Sequence, residues 1–208
     1  MKKVLILAPH TDDGEFGCGG TIAKLRESGS EVYYVAFSTC EKSLPENLQP
    51  DTLKRELLKA TNCLGIPKKN VIIYDYPVRD FPKFRQDILE NMIVLSRDIK
   101  PDLVFMPSIQ DIHQDHHTIA SEAMRAFKMT SILGYELPWN NYSFRNQVFF
   151  PLNTSHVDLK VAATNCYESQ KGRNYLDENY IRGIIRSHGV QIGVEFAEVF
   201  ETDRFIIK

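Results

Sequence analysis

Lys3-Val4-Leu5-Ile6-Leu7-Ala8, followed without a break by Pro9-His10-Thr11-Asp12-Asp13-Gly14-Glu15, is the stretch on which the fold turns. The first six residues are a β-branched and aliphatic run, the composition of a strand. The next seven set a histidine and several carboxylates at the end of that strand, which is where open α/β sheets bind their ligands. Working outward, residues 21–28 read as part of a helix that stops at Gly29, and 31–37 as a second strand rich in Val and Tyr. Asp51 caps a helix over 52–64 that Gly65-Ile66-Pro67 ends. A strand over 71–74 follows. Residues 84–98 place apolar side chains at helical spacing, and Pro101 leads into the strand 103–106. Alternating strands and helices, with near-continuous apolar strands, predict an α/β fold with a mostly parallel sheet, helices on both faces and right-handed crossovers.

Beyond residue 117 the pattern weakens. A helix near 119–127 is followed by a looser, aromatic-rich region over 135–152, helical stretches at 157–170 and 176–185, and a segment at 195–207 with partial strand character. No repeat, low-complexity run or linker interrupts the chain, so 1–208 is expected to be a single domain. The 208 residues are 43% hydrophobic and 25% charged with a net charge of −2, and no basic run would concentrate a polyanion, which argues against nucleic acid as a partner. The apolar start at 4–8 is far shorter than a signal-peptide core, and no stretch approaches the ~20 apolar residues of a transmembrane segment. The cysteines at 18, 40, 63 and 166 lack CxxC spacing, and a reducing, cytoplasmic setting is expected.

A second strand-end loop is as unusual as the first: Asp111-Ile112-His113-Gln114-Asp115-His116-His117. Adjacent carboxylates repel one another and make a poor structural turn unless a cation is near. His10 and Asp13 suit a nitrogen and an oxygen ligand on one turn, and a histidine from the second loop would complete a three-ligand metal site with one position open for water. Asp12 could then accept a proton while another histidine polarises or protonates the substrate. His10 alone would be an ordinary hydrogen-bonded histidine, and either aspartate alone an N-cap; two such loops together distinguish a site from scattered polar residues. Gly17-Cys18-Gly19-Gly20 fails the dinucleotide frame because Ile22 stands where the third glycine belongs. Arg55 is either a solvated charge or a clamp on an anionic group, and Asp115 either a surface acid or the partner that orients a ligand histidine. His156 and His188 receive no role.

These residues resemble the PIG-L/LmbE family of zinc-dependent N-deacetylases, which act on N-acetylglucosamine conjugates. His10-Thr11-Asp12-Asp13-Gly14-Glu15 with Gly17-Cys18-Gly19-Gly20 resembles its first motif, and His113-Gln114-Asp115-His116 matches its second in full. Arg55-Glu56, Ser169-Gln170 and Ala197-Glu198-Val199-Phe200 resemble its weaker signatures. The resemblance implies a Rossmann-like fold, one zinc per chain (iron(II) being the alternative) on His10, Asp13 and His116, and Asp12 as general base. It further implies His113 as oxyanion stabiliser or acid, Asp115 as the group orienting and charge-balancing His113, and Arg55 as a contact to substrate or product. The implied partner is a small N-acetyl amino-sugar conjugate. Thr11 replaces the family's proline, and Gly14 stands where Glu is usual, with Glu15 one place late.

Tyr135, Glu136 and Trp139 open a segment where the family varies its substrate-facing loops, and they are expected to border the pocket; an aromatic core under a long loop is the alternative. A phosphoesterase with paired metals and an inactive sugar-binding module are the competing functions. The aglycone, and whether the chain forms a homo-oligomer, stay open.

Overall fold

The alternation along the central strands sorts side chains into two cores. In the computed structural model, which describes residues 1–45 and 47–207, β1 (Lys3–Ala8) sends Val4, Ile6 and Ala8 to one face, and Leu5 and Leu7 to the other. In β4 (Leu103–Pro107), Leu103 and Phe105 join the first core, Val104 and Met106 the second. Period-two alternation with both faces apolar is what a sheet buried on both sides requires. The first face is covered by α1 (Asp13–Glu27), α2 (Thr52–Cys63), α5 (Thr154–Thr164) and α6 (Glu178–Gln191); the second by α3 (Arg85–Ile99) and α4 (Gln114–Ala126).

The remaining strands are β2 (Glu31–Ala36), β3 (Val71–Ile73), β5 (Ser131–Tyr135), β6 (Val148–Leu152) and β7 (Phe196–Arg204). They form one seven-stranded sheet in the order β3-β2-β1-β4-β5-β7-β6. The pairs from β3 through β5 are parallel, and β7 runs antiparallel to both β5 and β6. The chain therefore builds outward from β1 to β3 and crosses back to β4 on the other side of β1. That reversal opens a crevice between the carboxyl ends of β1 and β4, which is the Rossmann-like position for a ligand.

The structure departs from the sequence reading in several elements. Helix α1, of which residues 21–28 were read as part, begins already at Asp13 and is kinked at Cys18, whose φ of −146° and ψ of 23° interrupt the helical ladder. Buried side chains bridge the break. Glu198 accepts from the backbone N–H of Gly20 (3.0 Å) and Thr21 (2.6 Å), while Lys160 donates to the Phe16 carbonyl (2.5 Å) and pairs with Glu198 at 2.6 Å. Helix α4 starts at Gln114 because His113 caps it, its Nδ1 accepting the Asp115 N–H at 3.1 Å. Strands β5 and β6 were not legible. β5 is short and ends in the aromatic region, and β6 carries Pro151, which only an edge strand tolerates. Helix α5 stops at Thr164 and α6 starts at Glu178, so the expected helical stretches shift by several residues.

Candidate functional site

The two loops anticipated from sequence meet in that crevice. His10 follows β1, Asp13 opens α1, and His116 lies in the first turn of α4. His10 Nδ1 stands 3.2 Å from Asp13 Oδ2, His116 Nε2 stands 3.3 Å from the same oxygen, and the two nitrogens are 3.1 Å apart. The other ring nitrogen of each histidine is already committed. His10 Nε2 donates to Asp115 Oδ2 at 3.0 Å, and His116 Nδ1 donates to Asp111 Oδ2 at 2.7 Å. Each ring is thereby turned to present a lone pair at the shared centre, the carboxylate–histidine arrangement typical of metal ligands.

Three electron-rich atoms converging on one point repel unless a cation lies between them. In a tetrahedral shell with bonds of ~2.0–2.1 Å, ligand atoms stand ~3.3–3.4 Å apart, so the donor set fits one divalent ion. Burial opposes charge on His116, yet the carboxylates of Asp13 and Asp111 outweigh it and hold the ring up to about 10. Burial likewise opposes charge on His10, and Asp13 and Asp115 raise it. A dication at the centre would meet that same negative field.

His113 also belongs to the cluster: ligand nitrogens of His10, His113 and His116 lie within 4.8 Å of one another. Its ring stacks on His116 at 4.5 Å. The tighter set is nevertheless His10, Asp13 and His116, since His113 Nδ1 is used by the Asp115 N–H. Burial and then the neighbouring His116 and His10 push its pKa down to about 4, so the ring is neutral near pH 7 with its proton on Nε2. Its Nε2 is thereby left as a donor. Asp12 lines the same cavity, and burial together with the charge of Asp13 pushes its carboxyl up to about 6.

The cavity measures about 350 Å³, within the ~300–1,000 Å³ of small-molecule sites. Besides the residues above it is lined by Cys40, Arg79, Trp139, Gln170, Arg173 and Tyr175. Trp139 stacks on Tyr175 with centroids 4.3 Å apart and 19° between planes, a flat aromatic wall.

Four expectations need correcting. Arg55 lies outside the cavity, on the exposed face of α2, where it pairs with Asp51 at 3.2 Å; helical spacing turned Glu56 inward instead, and it accepts from Ser169. Tyr135 is fully buried beneath the loop, donating to the Leu7 carbonyl at 3.0 Å, so it cannot touch a substrate. Glu136 lines a separate, apolar pocket behind Trp139, 3.8 Å from His188. Asp115 gives its carboxylate to His10, not to His113, and is itself fixed by the N–H groups of Arg79 (2.6 Å) and Phe81 (3.2 Å). Trp139 does border the cavity. Asp111, the other histidine partner, received no role from sequence, although its place five residues before His116 in a polar loop was a usable signal; Arg79 and Arg173 carried none.

The chain belongs to the PIG-L family, described as GlcNAc-PI de-N-acetylases, whose sequence profile matches residues 5–127. An uncharacterized deacetylase of Escherichia coli strain K12, YaiS, is 28% identical over 171 residues, covering 81% of this chain and 91% of that protein. The crystallised N,N'-diacetylchitobiose deacetylase from Pyrococcus horikoshii superposes with a TM-score of 0.82 at 25% identity, over 96% of this chain and 83% of that one. A 4-oxalmesaconate hydratase of Pseudomonas putida is 26% identical over 219 residues, 92% of this chain and 81% of that protein.

Proposed function

We propose that this chain is a metal-dependent N-deacetylase that hydrolyses the acetamide of an N-acetylglucosamine-type conjugate. What carries the reading is the convergence of His10 Nδ1, Asp13 Oδ2 and His116 Nε2 to 3.1–3.3 Å at the switch point of the sheet, with Asp12 and His113 in the same cavity. His10, Asp13 and His116 would hold one divalent ion, zinc or iron(II), since two imidazoles and a carboxylate serve either. Bound there, such an ion supplies Lewis acidity toward the amide carbonyl and makes water more acidic. Asp12 takes the proton of the attacking water and passes it to the departing nitrogen. His113 donates its Nε2 proton as a hydrogen bond to the oxygen on which negative charge develops. Asp115 and Asp111 orient the two ligand histidines, and the Trp139–Tyr175 pair offers a face for the sugar ring.

Two residues adjacent in sequence carry the sharpest test. Asp13→Asn is expected to weaken metal binding, because an amide oxygen is a poorer ligand than a carboxylate. Asp12→Asn is expected to keep the metal and lose roughly two to four orders of magnitude in acetate release from an N-acetylglucosamine conjugate. Elemental analysis and acetate release on both variants check this; near-normal turnover by Asp12→Asn, or equal metal loss in both, would sink the division of labour. A paired-metal phosphoesterase is disfavoured, since the donor set closes around a single centre. A hydratase activity, as named for the Pseudomonas relative, is a second reading, and it predicts no acetate from any N-acetyl sugar.

A further inference from the structure

We infer that Cys63 and Cys166 form a thiol-modification site. Cys63 is oxidised by a low-molecular-weight disulfide, and Cys166 resolves the adduct into an intramolecular disulfide that ties α2 to the segment beneath the catalytic loop. The two sulfurs stand 3.7 Å apart although their residues are 103 positions apart in the chain. Cys63 ends α2 and Cys166 lies just past the end of α5, and both are partly exposed. The other two cysteines are closed to such chemistry: Cys18 is fully buried with its thiol on the Gly14 carbonyl at 3.2 Å, and Cys40 is buried as well. An S–S bond of ~2.05 Å leaves a gap of under ~2 Å to close, a side-chain displacement.

The Cys63 thiolate attacks one sulfur of the small disulfide, an S–S bond to Cys63 forms, and one small thiolate leaves. Cys166 then loses its proton to water, its thiolate attacks the Cys63 sulfur, and the second small thiolate leaves. Two protein thiols are oxidised and one small disulfide is reduced to two thiols. Burial, and then the hydrogen bond to Cys63, push the Cys166 thiol up to about 11, which keeps it protonated while Cys63 reacts. The second of these causes vanishes once Cys63 is blocked, and Lys59, one turn earlier on α2, favours a thiolate at Cys166. The bond braces a segment that reaches the cavity. Next to Cys166, the Tyr167 hydroxyl donates to the carbonyl of Thr11, the residue before Asp12, at 2.7 Å. Glu56 of α2 accepts from the Ser169 N–H (2.9 Å) and hydroxyl (2.6 Å), and Gln170 and Arg173 line the cavity. The disulfide adds a covalent link to these hydrogen bonds, and closing so long a loop removes freedom from the unfolded chain.

The test treats the full chain with glutathione disulfide. Of the four thiols, two should remain on titration in denaturant, and non-reducing peptide mapping should give one cross-linked pair containing Cys63 and Cys166. The melting temperature, followed by the emission of Trp139, the single tryptophan and part of the cavity wall, should rise by roughly 5–15 °C and return with dithiothreitol. Amide hydrogen exchange over 167–173 should slow more than in α3, on the opposite face of the sheet. Cys166→Ser should stop at the mixed disulfide, holding one glutathione on Cys63 with no rise in melting temperature. Cys63→Ser should form no cross-link and take up glutathione at least about tenfold more slowly than Cys166→Ser does. Four free thiols after treatment, adducts on both cysteines without a cross-link, a cross-link through Cys18 or Cys40, or a rise in melting temperature that survives in Cys63→Ser would overturn the inference. None of these readouts depends on acetate release, so the deacetylase reading stands or falls separately.

Discussion

A Cβ at position 14 would stand 2.6–2.8 Å from the ring and hydroxyl of Tyr34. Tyr34 has no room to retreat: it is fully buried, its oxygen accepts the Gly14 N–H at 3.1 Å, and it lies 2.9 Å from the Thr11 carbonyl and in contact with the Glu15 carboxyl. The departure from the family motif at Gly14 is thus paired with a large side chain from β2, and Glu15 turns inward to Tyr34 and Tyr167 beneath the loop. Gly14→Ala is expected to destabilise the protein by ~1–3 kcal/mol through overpacking. Urea denaturation of Gly14→Ala, Tyr34→Ala and the double variant should show strong coupling between the two. A Gly14→Ala variant within about 0.5 kcal/mol of the parent would show that the ring yields. At this scale the crowding of histidines and carboxylates into two loops was readable, because it follows from residue identity alone. Which carboxylate serves which histidine was not, since Asp115 meets His10 across 105 residues.

Helix α1 delivers Asp13 only because its broken middle is held. Lys160, from α5, is buried against the Phe16 carbonyl and Glu198 of β7. Gly17 lets the helix lie on Tyr135, whose ring would stand 2.2 Å from a Cβ there. Lys160→Met should strand a buried carbonyl and a buried carboxylate and cost about 3–5 kcal/mol, read from the denaturation midpoint; a loss under about 1 kcal/mol would show that the kink supports itself. On the same strand β7, burial and then the neighbouring Glu201 push the Asp203 carboxyl up to about 6 from an ordinary 3.8. Its Oδ2 is buried without a hydrogen-bond partner. The folded chain then holds this proton more tightly than the unfolded one, so its contribution to stability falls as pH rises from about 4 to about 6 and is level above that. Asp203→Asn should remove that slope: melting temperatures at about pH 4 and about pH 7, the two sides of the window, should differ less in the variant than in the parent. An unchanged difference would place the pH dependence elsewhere.

At the scale of the whole molecule, the centre joins the loop after β1 to the loop after β4, elements that the chain places about a hundred residues apart. A ligand that binds only the folded state stabilises it by about 2.7 kcal/mol at a hundredfold excess over its Kd. Zinc added to chelator-treated protein should therefore raise the melting temperature, and Asp13→Asn should abolish most of that rise while Asp12→Asn retains it. Equal melting temperatures with and without zinc in the parent would remove the metal from the account.

The sequence by itself determined the α/β alternation, the two strand-end loops and the residue types that could bind a metal. Each of these depends on near neighbours: strand period, helix spacing, and acids and histidines crowded within one turn. Only the tertiary structure decided the rest. The exposed flank of α2 takes Arg55 away from the cavity, and the pairing of β5 with β7 buries Tyr135 beneath it. The thiols of Cys63 and Cys166, unrelated in sequence, come to rest 3.7 Å apart where α2 packs on α5. Arg79 and Arg173 reach one cavity from loops that share no pattern. Such meetings are set by how helices seat on a twisted sheet, a long-range packing that local periodicity does not encode.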